Sequence, residues 1–169
     1  GNLREPKFGA KRAGIIVVTK CPENISEATI EAIKIKLKPQ PYQEVYFSKI
    51  GYAANIQNES AQKPLSYLKD STFHLVTGIA NPIPLISYLK KEGLVFTESR
   101  FADHHNFTDS EKKELKKHPL ILTTEKDFMR LQSLSDAVEI YYLPIKTVIL
   151  NGAEETFKSR VKKEMGAKL

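Results

Sequence analysis

The 169-residue chain has one cysteine, Cys21, no apolar stretch long enough to cross a bilayer, and no known nucleic-acid-binding signature. A single thiol excludes an intramolecular disulfide framework and suits a reducing compartment. A membrane helix needs roughly 18 to 20 consecutive apolar residues, and no run here approaches that length. The opening residues GNLREPKFGAKR lack the apolar core of a signal peptide. RRM, KH, zinc-finger and helix-turn-helix patterns are all missing, so nucleic acid is not an expected partner. The simplest setting for such a chain is the cytosol.

What is present is an ordinary globular balance, 41% hydrophobic and 27% charged residues, enough for one domain with a core plus a further piece. The net charge of +6, from 26 Lys and Arg against 20 Asp and Glu, mildly favours phosphate-bearing or membrane-surface partners. Basic residues gather between Lys112 and Lys117 and between Lys158 and Lys168, both on expected helices, where a charge run usually marks a solvated face.

AGIIVVTK (13–20) is a β-branched apolar run that predicts a strand buried on both faces. Ser26 is placed to cap a helix that continues to Lys38, where Pro39 and Pro41 stop it. EVYFSKI (44–50) alternates like a strand with one wet face, and residues 51–64 read as a polar loop. FHLVTGIA (73–80) is a buried strand; Asn81 and Pro82 open a helix, with Pro82 at N1, and Gly93 closes it. LVFTESRFA (94–102) is a strand, and a helix capped by Thr108 or Asp109 follows, with Glu111 near capping-box spacing. PLILTT, EKDFMRLQ, VEIYYLPI and TVILN predict strand, short helix, strand and strand, and Glu154 to Met165 a basic helix. Strands alternating with helices imply a three-layer α/β/α sandwich around a mostly parallel sheet.

Ligands of open α/β sheets sit outside the carboxyl ends of the strands. Four polar motifs fall there: Thr19-Lys20, Gly78-Ile79-Ala80-Asn81, Asp103-His104-His105 and Thr123-Thr124-Glu125-Lys126-Asp127. Zinc would need three or four convergent ligands, and the remaining candidates, Cys21 and His74, are remote in sequence. His74 reads as a core histidine making one hydrogen bond. A histidine next to a carboxylate is also the usual device for readying a hydroxyl for attack, while Asp103 could equally cap a turn. TTEKD has its own plain reading, as acids in the first turn of a helix. Gly78 fits a place where another chain segment passes closely.

Taken in order, GNLREP, VVTKCPEN, GIANP, FADHHNFTD and ILTTEKDFMRL make the chain resemble the C-terminal half of the tetraacyldisaccharide 4′-kinase family of lipid A biosynthesis, in its Bacteroidetes-like form. The resemblance implies transfer of the γ-phosphate of ATP, with Mg²⁺, to the 4′-hydroxyl of a disaccharide lipid A precursor at the cytoplasmic face of the inner membrane. It implies two α/β/α lobes joined by a short β linker around a cleft. His104 would activate the hydroxyl together with an aspartate of the first lobe, with Asp103 beside it. Arg4 would balance phosphate charge and Glu5 would lie near Mg²⁺. Lys20, Asn81, His105, Thr124, Glu125 and Lys126 are carried over as cleft residues without assigned roles.

The G-x-x-x-x-G-K-[ST] phosphate loop of such kinases is not among these residues. The expectation is therefore a chain that is inactive alone, with ATP and Mg²⁺ needing the first lobe. Residues 1–38 would complete that lobe, 39–145 would form the second lobe with its linker strands, and 146–169 would dock on the first. Apolar surface left exposed by the missing partner predicts self-association. Two other classes stay open. One is a metal-dependent phosphoesterase of the Asp-His-His type, although no Asp-x-Asp pair occurs. The other is a module binding anionic lipid headgroups through the basic helices.

Overall fold

A computed structural model of the chain describes residues 7–166. In chain order its elements are β1 (Ile15–Val18), α1 (Glu27–Leu37), β2 (Glu44–Tyr52), β3 (Asn55–Gln57), β4 (Gln62–Pro64), β5 (Phe73–Thr77) and α2 (Ile83–Lys91). There follow β6 (Phe96–Arg100), α3 (Asp109–Leu115), β7 (Leu120–Thr124), α4 (Glu125–Leu131), β8 (Glu139–Leu143), β9 (Ile145–Ile149) and α5 (Glu154–Gly166). Short 3₁₀ turns occupy Lys7–Arg12, Leu65–Asp70 and Gln132–Leu134.

The chain separates into two compact units, one reaching to Gly51 and resuming at Lys146, the other Tyr52–Ile145. In the first unit β2 pairs with β1. That unit carries a three-stranded sheet of order β1-β2-β9, with β1 and β2 parallel and Ile15 opposite Glu44. Two expectations are corrected here. Residues of β1 are not buried on both faces, Val17 being 36% exposed. Nor does β2 alternate, since Tyr46, Phe47 and Ser48 are buried in succession. The helix between them follows its sequence signals: Ser26 Oγ accepts the Thr29 N–H at 3.2 Å, and Lys38 ends α1 in the left-handed region at φ 49°.

In the second unit the sheet runs β4-β3-β8-β7-β5-β6. Its four central and edge strands β8, β7, β5 and β6 are mutually parallel, and β3 and β4 add an antiparallel hairpin. That hairpin lies within the stretch read as a loop, 51–64. Ile56, 0% exposed, explains the difference: one buried apolar residue anchors an otherwise polar strand.

Alternation along the parallel strands divides the core in two. Leu75, Leu120, Leu122, Tyr141 and Leu143 face α2 through Leu85, Ile86 and Leu89. Val76, Ile121 and Ile140 face the other way, toward Leu115 of α3 and Phe128 and Leu131 of α4. Side chains one residue apart on a strand point to opposite faces, so these continuous apolar runs need a helical layer on each side. The result is the three-layer α/β/α arrangement. β6 is the edge strand and turns Glu98 and Arg100 outward as an ion pair at 2.7 Å, charges that discourage further strand pairing.

Local signals terminate the helices. Gly93 at φ 77° follows α2, with Leu94 N–H donating to Leu89 O at 3.1 Å and Gly93 N–H to Lys90 O at 3.0 Å. These are the two bonds of a Schellman ending, which only a residue free to adopt φ > 0 allows cheaply. Pro82 stands at the N-cap, one position before the expected N1. Thr108 and Glu111 complete the capping box that starts α3, a feature worth about 1 kcal/mol at the Thr108 side chain.

His74 is buried and makes two hydrogen-bond contacts where one was expected, Nδ1 with Thr97 Oγ1 at 2.6 Å and Nε2 with Ser99 Oγ at 2.9 Å. Its ring also stacks on His118 with centroids 3.8 Å apart. Burial, and secondarily the His118 ring, pushes the His74 pKa down to about 4. The folded value lies below the ordinary histidine value of about 6.5, so the unfolded chain takes up more protons in between. This contribution to stability is therefore full above about pH 6.5 and is lost as pH falls toward 4. The urea midpoint should drop between pH 7 and pH 4.5, and drop less in His74→Gln; equal drops in both proteins would remove His74 as the cause.

Candidate active site

Because β8, β7, β5 and β6 are parallel, their carboxyl ends share one edge of the sheet, the edge at which open α/β folds bind ligands. Three chain segments meet there: Gly78 after β5, the loop Phe101–Phe107 after β6, and the Thr124 junction where β7 passes directly into α4.

A buried carboxylate ties two of them together. Asp127, in the first turn of α4, is 0% exposed. Its Oδ2 accepts the Gly78 N–H at 2.8 Å and the Thr124 hydroxyl at 2.7 Å. The Thr124 Oγ1 in turn accepts the Asp127 N–H at 3.2 Å as the helix cap. A Cβ at position 78 would lie 2.9 Å from Asp127 Oδ1, so glycine is what lets the carboxylate approach the end of β5. The remaining oxygen, Oδ1, has no hydrogen-bond partner and lies 3.9 Å from Arg130 Nη1, one helical turn away.

The third segment presents His104. Phe101 N–H donates to Thr77 O at 2.7 Å, and His105 N–H to Ala102 O at 3.1 Å, closing a tight turn over 102–105. His104 occupies its third position with φ 61°, a place usually filled by Gly or Asn. Left-handed backbone costs a side-chain-bearing residue about 1–2 kcal/mol, and such strain gathers at functional sites. The turn holds the His104 side chain 70% exposed.

Around that ring stand three charged groups. Lys126 Nζ is 3.3 Å from His104 Nε2, and Arg130 Nη2 is 3.1 Å from Nδ1. Asp103 Oδ1 accepts from Lys126 at 2.6 Å while Oδ2 lies 3.8 Å from His104 Nε2. The Lys126 hydrogen bond is the main cause that holds the Asp103 carboxyl below the usual aspartate range. Asp103 thus remains a carboxylate, bound chiefly to lysine rather than to the adjacent histidine.

His105 is turned elsewhere. Its ring stacks on Phe101 with centroids 4.8 Å apart and meets Phe107 edge-on at 5.3 Å. Its Nε2 faces both Glu111 carboxylate oxygens at 2.9 and 3.0 Å. This contact, followed by the Thr108 N–H and hydroxyl, draws the Glu111 pKa down to about 2. His105 therefore braces the loop against the start of α3.

Of the remaining sequence candidates, Thr124 supports Asp127, and Glu125 is exposed at the start of α4. Asn81 Oδ1 accepts the Ile83 N–H at 3.2 Å and shapes the entry to α2. Lys20 is exposed after β1 in the other compact unit, in the left-handed region at φ 59°. Arg4 and Glu5 lie outside the described residues. Among the described residues no three His, Cys, Asp or Glu side chains gather to hold a metal, so these residues do not by themselves fit a Mg²⁺ site. Asp127 was named within its motif but given no role, and Arg130 was missed, although a carboxylate and an arginine three apart on a helix face the same way.

A mostly parallel sheet with helices on both faces, bearing a histidine, a lysine–aspartate pair and an arginine on its carboxyl edge, defines an α/β protein with a polar rim. The chain belongs to the tetraacyldisaccharide-1-P 4′-kinase (LpxK) family, whose family model matches residues 1–165. It is 39% identical to the tetraacyldisaccharide 4′-kinase of Flavobacterium johnsoniae over 154 residues, covering 89% of this chain and 45% of that protein. The corresponding kinase of Bacteroides thetaiotaomicron is 36% identical over 184 residues, with 95% and 48% covered. The crystal structure of LpxK from Aquifex aeolicus in complex with ATP shares the fold at a TM-score of 0.56 and 21% identity, over 96% of this chain and 46% of that one. The chain spans about half the length of the curated relatives it matches.

Proposed function

We propose that this chain supplies the acceptor side of a kinase that moves the γ-phosphate of ATP to the 4′-hydroxyl of a tetraacyl disaccharide 1-phosphate. The observation that carries the reading is His104, held exposed by a left-handed turn on the ligand-binding edge with Lys126 beside it. In this reading the sugar oxygen attacks the γ-phosphorus, ADP leaves, and the hydroxyl proton passes to His104. Lys126 sets positive charge near the transferring phosphoryl group, where phosphoryl transfer gains most from fixed charge and positioning. Mg²⁺ when bound would supply charge that neutralises the phosphates; Arg4 and Glu5, the sequence candidates for that role, lie outside the described residues.

ATP binding needs a phosphate-cradling loop that is not among these 169 residues. The apolar residues left exposed in the first unit, Phe8 at 72% and Ile35 at 71%, are what an adjoining lobe would cover. Work at the cytoplasmic face of the inner membrane belongs to the same proposal. It is supported by the substrate class and by α5, which carries Lys158, Lys162 and Lys163. Among the described residues no helix is long and apolar enough to cross a membrane.

The test is a hybrid in which residues 1–165 replace the matched part of the Flavobacterium johnsoniae relative. With ATP, Mg²⁺ and a tetraacyl disaccharide 1-phosphate, the hybrid is expected to transfer phosphate and the 169-residue chain alone to transfer none. A folded hybrid without transfer, beside an active native relative, would overturn the kinase reading. Turnover by the isolated chain would overturn its need for outside residues.

A further inference from the structure

Arg130 makes the shortest contact to the His104 ring, 3.1 Å from Nη2 to Nδ1. A guanidinium carries five donors and no acceptor, so this hydrogen bond requires the Nδ1 lone pair and leaves the ring proton on Nε2. Lys126 Nζ, 3.3 Å from Nε2, also only donates. In that tautomer the lysine and the ring are not bonded to each other. Both instead face Asp103, whose Oδ1 takes Lys126 at 2.6 Å and whose Oδ2 lies 3.8 Å from Nε2.

Arg130 is itself held in place. Its Nη1 reaches His105 O at 3.4 Å and lies 3.9 Å from Asp127 Oδ1. Asp127 is fully buried, and Gly78 and Thr124 occupy its other oxygen, so Oδ1 has Arg130 as its facing charge. Only 27% of the Arg130 side chain is exposed, so the guanidinium is restricted as well as paired.

We propose that Arg130, seated against the buried Asp127 carboxylate, is a positioning residue that fixes the tautomer of His104, with Nδ1 as acceptor and Nε2–H toward the rim. The inference rests on the reading of His104 as the proton-transfer group and adds a resting state to it. A ring held this way cannot take a hydroxyl proton at Nε2. For Nε2 to act as the base, the Arg130 hydrogen bond must be given up and the ring proton must move from Nε2 to Nδ1, with no net gain or loss. Arg130 thus keeps Nε2 idle until that contact is released.

The experiment is long-range ¹H–¹⁵N NMR of the histidine rings of the 169-residue chain, at a pH where the rings are neutral, with His104 assigned by its loss in His104→Ala. The wild-type chain is expected to show Nδ1 as an acceptor and Nε2 as N–H. Arg130→Met should move both nitrogens toward the averaged positions of a free histidine, with Arg130→Lys restoring the pattern only in part. Asp127→Asn should shift it in the same direction as Arg130→Met. An unchanged amide spectrum in Arg130→Met shows that the fold is kept. A wild-type ring already averaged or protonated on Nδ1, or one unmoved by Arg130→Met, overturns the proposal. Loss of the kinase reading would come instead from transfer assays of the hybrid and would leave this ring measurement standing.

Discussion

His104→Ala in the hybrid kinase is expected to lower kcat by about 10²-fold or more while the affinity for the disaccharide is largely kept. General acid–base groups contribute about 10² to 10⁴ in rate, and His104 is the group proposed for that role. Its side chain is exposed at the carboxyl edge, and its main structural investment is an unfavourable backbone conformation. Removing the ring takes away little burial and relieves none of the contacts that hold the loop, since Phe101 and His105 make those through Thr77 and Glu111. A lower kcat with unchanged KM therefore reports a group used in the transition state. Unchanged turnover would return the Asp-His-His stretch to a structural role and leave family membership intact. Loss of substrate affinity with kcat kept would make His104 a binding residue instead.

Asp103 bears on how that outcome is interpreted. Its carboxylate is committed to Lys126 at 2.6 Å and stands 3.8 Å from the histidine. Adjacent positions in the sequence left open whether Asp103 orients the histidine or caps a turn. In the fold the two residues share a turn and both lie beside Lys126, but the carboxylate hydrogen-bonds the lysine and only stands near the ring.

Much of this arrangement was legible in the sequence, for physical reasons that differ from element to element. The runs around Leu75, Ile121 and Ile140 are apolar without a break because both faces of the central strands are covered. Gly93 and the Thr108–Glu111 pair announce helix ends because those ends depend on the residues themselves. The β3–β4 hairpin was not legible: its strands are short and polar, and only the burial of Ile56 in the tertiary fold makes them strands. Gly78 was read as a site of close approach, but what approaches is a carboxylate 49 residues further on, which no local pattern records. The same distance hid Asp127, whose place after Glu125 and Lys126 looks like an ordinary acid in a helix first turn. With Asp127 read only as a helix first-turn acid, Arg130 had no visible reason to sit at the rim.

Asp127→Ala should destabilise the Tyr52–Ile145 unit by about 3 kcal/mol, since hydrogen bonds to charged groups are worth about 1.5–3 kcal/mol each and a buried donor would be orphaned. The carboxylate is the acceptor for the Gly78 N–H at 2.8 Å and the Thr124 hydroxyl at 2.7 Å, and it is wholly shielded from solvent. Truncation also leaves Arg130 facing a vacated site. For a unit of roughly 100 residues, that loss corresponds to a fall in Tm of about 10 to 20 °C. Asp127→Asn separates the causes. Its amide oxygen can still accept from Gly78 and Thr124, but its NH₂ then meets the Arg130 guanidinium, so it should fall between wild type and Asp127→Ala. A change in Tm of only a few degrees in Asp127→Ala would mean that water replaces the carboxylate at Gly78, and that the end of β5 is held by the sheet alone. The larger loss would show that one buried side chain joins the strand end to α4, and so holds the edge from which Lys126 and Arg130 reach His104.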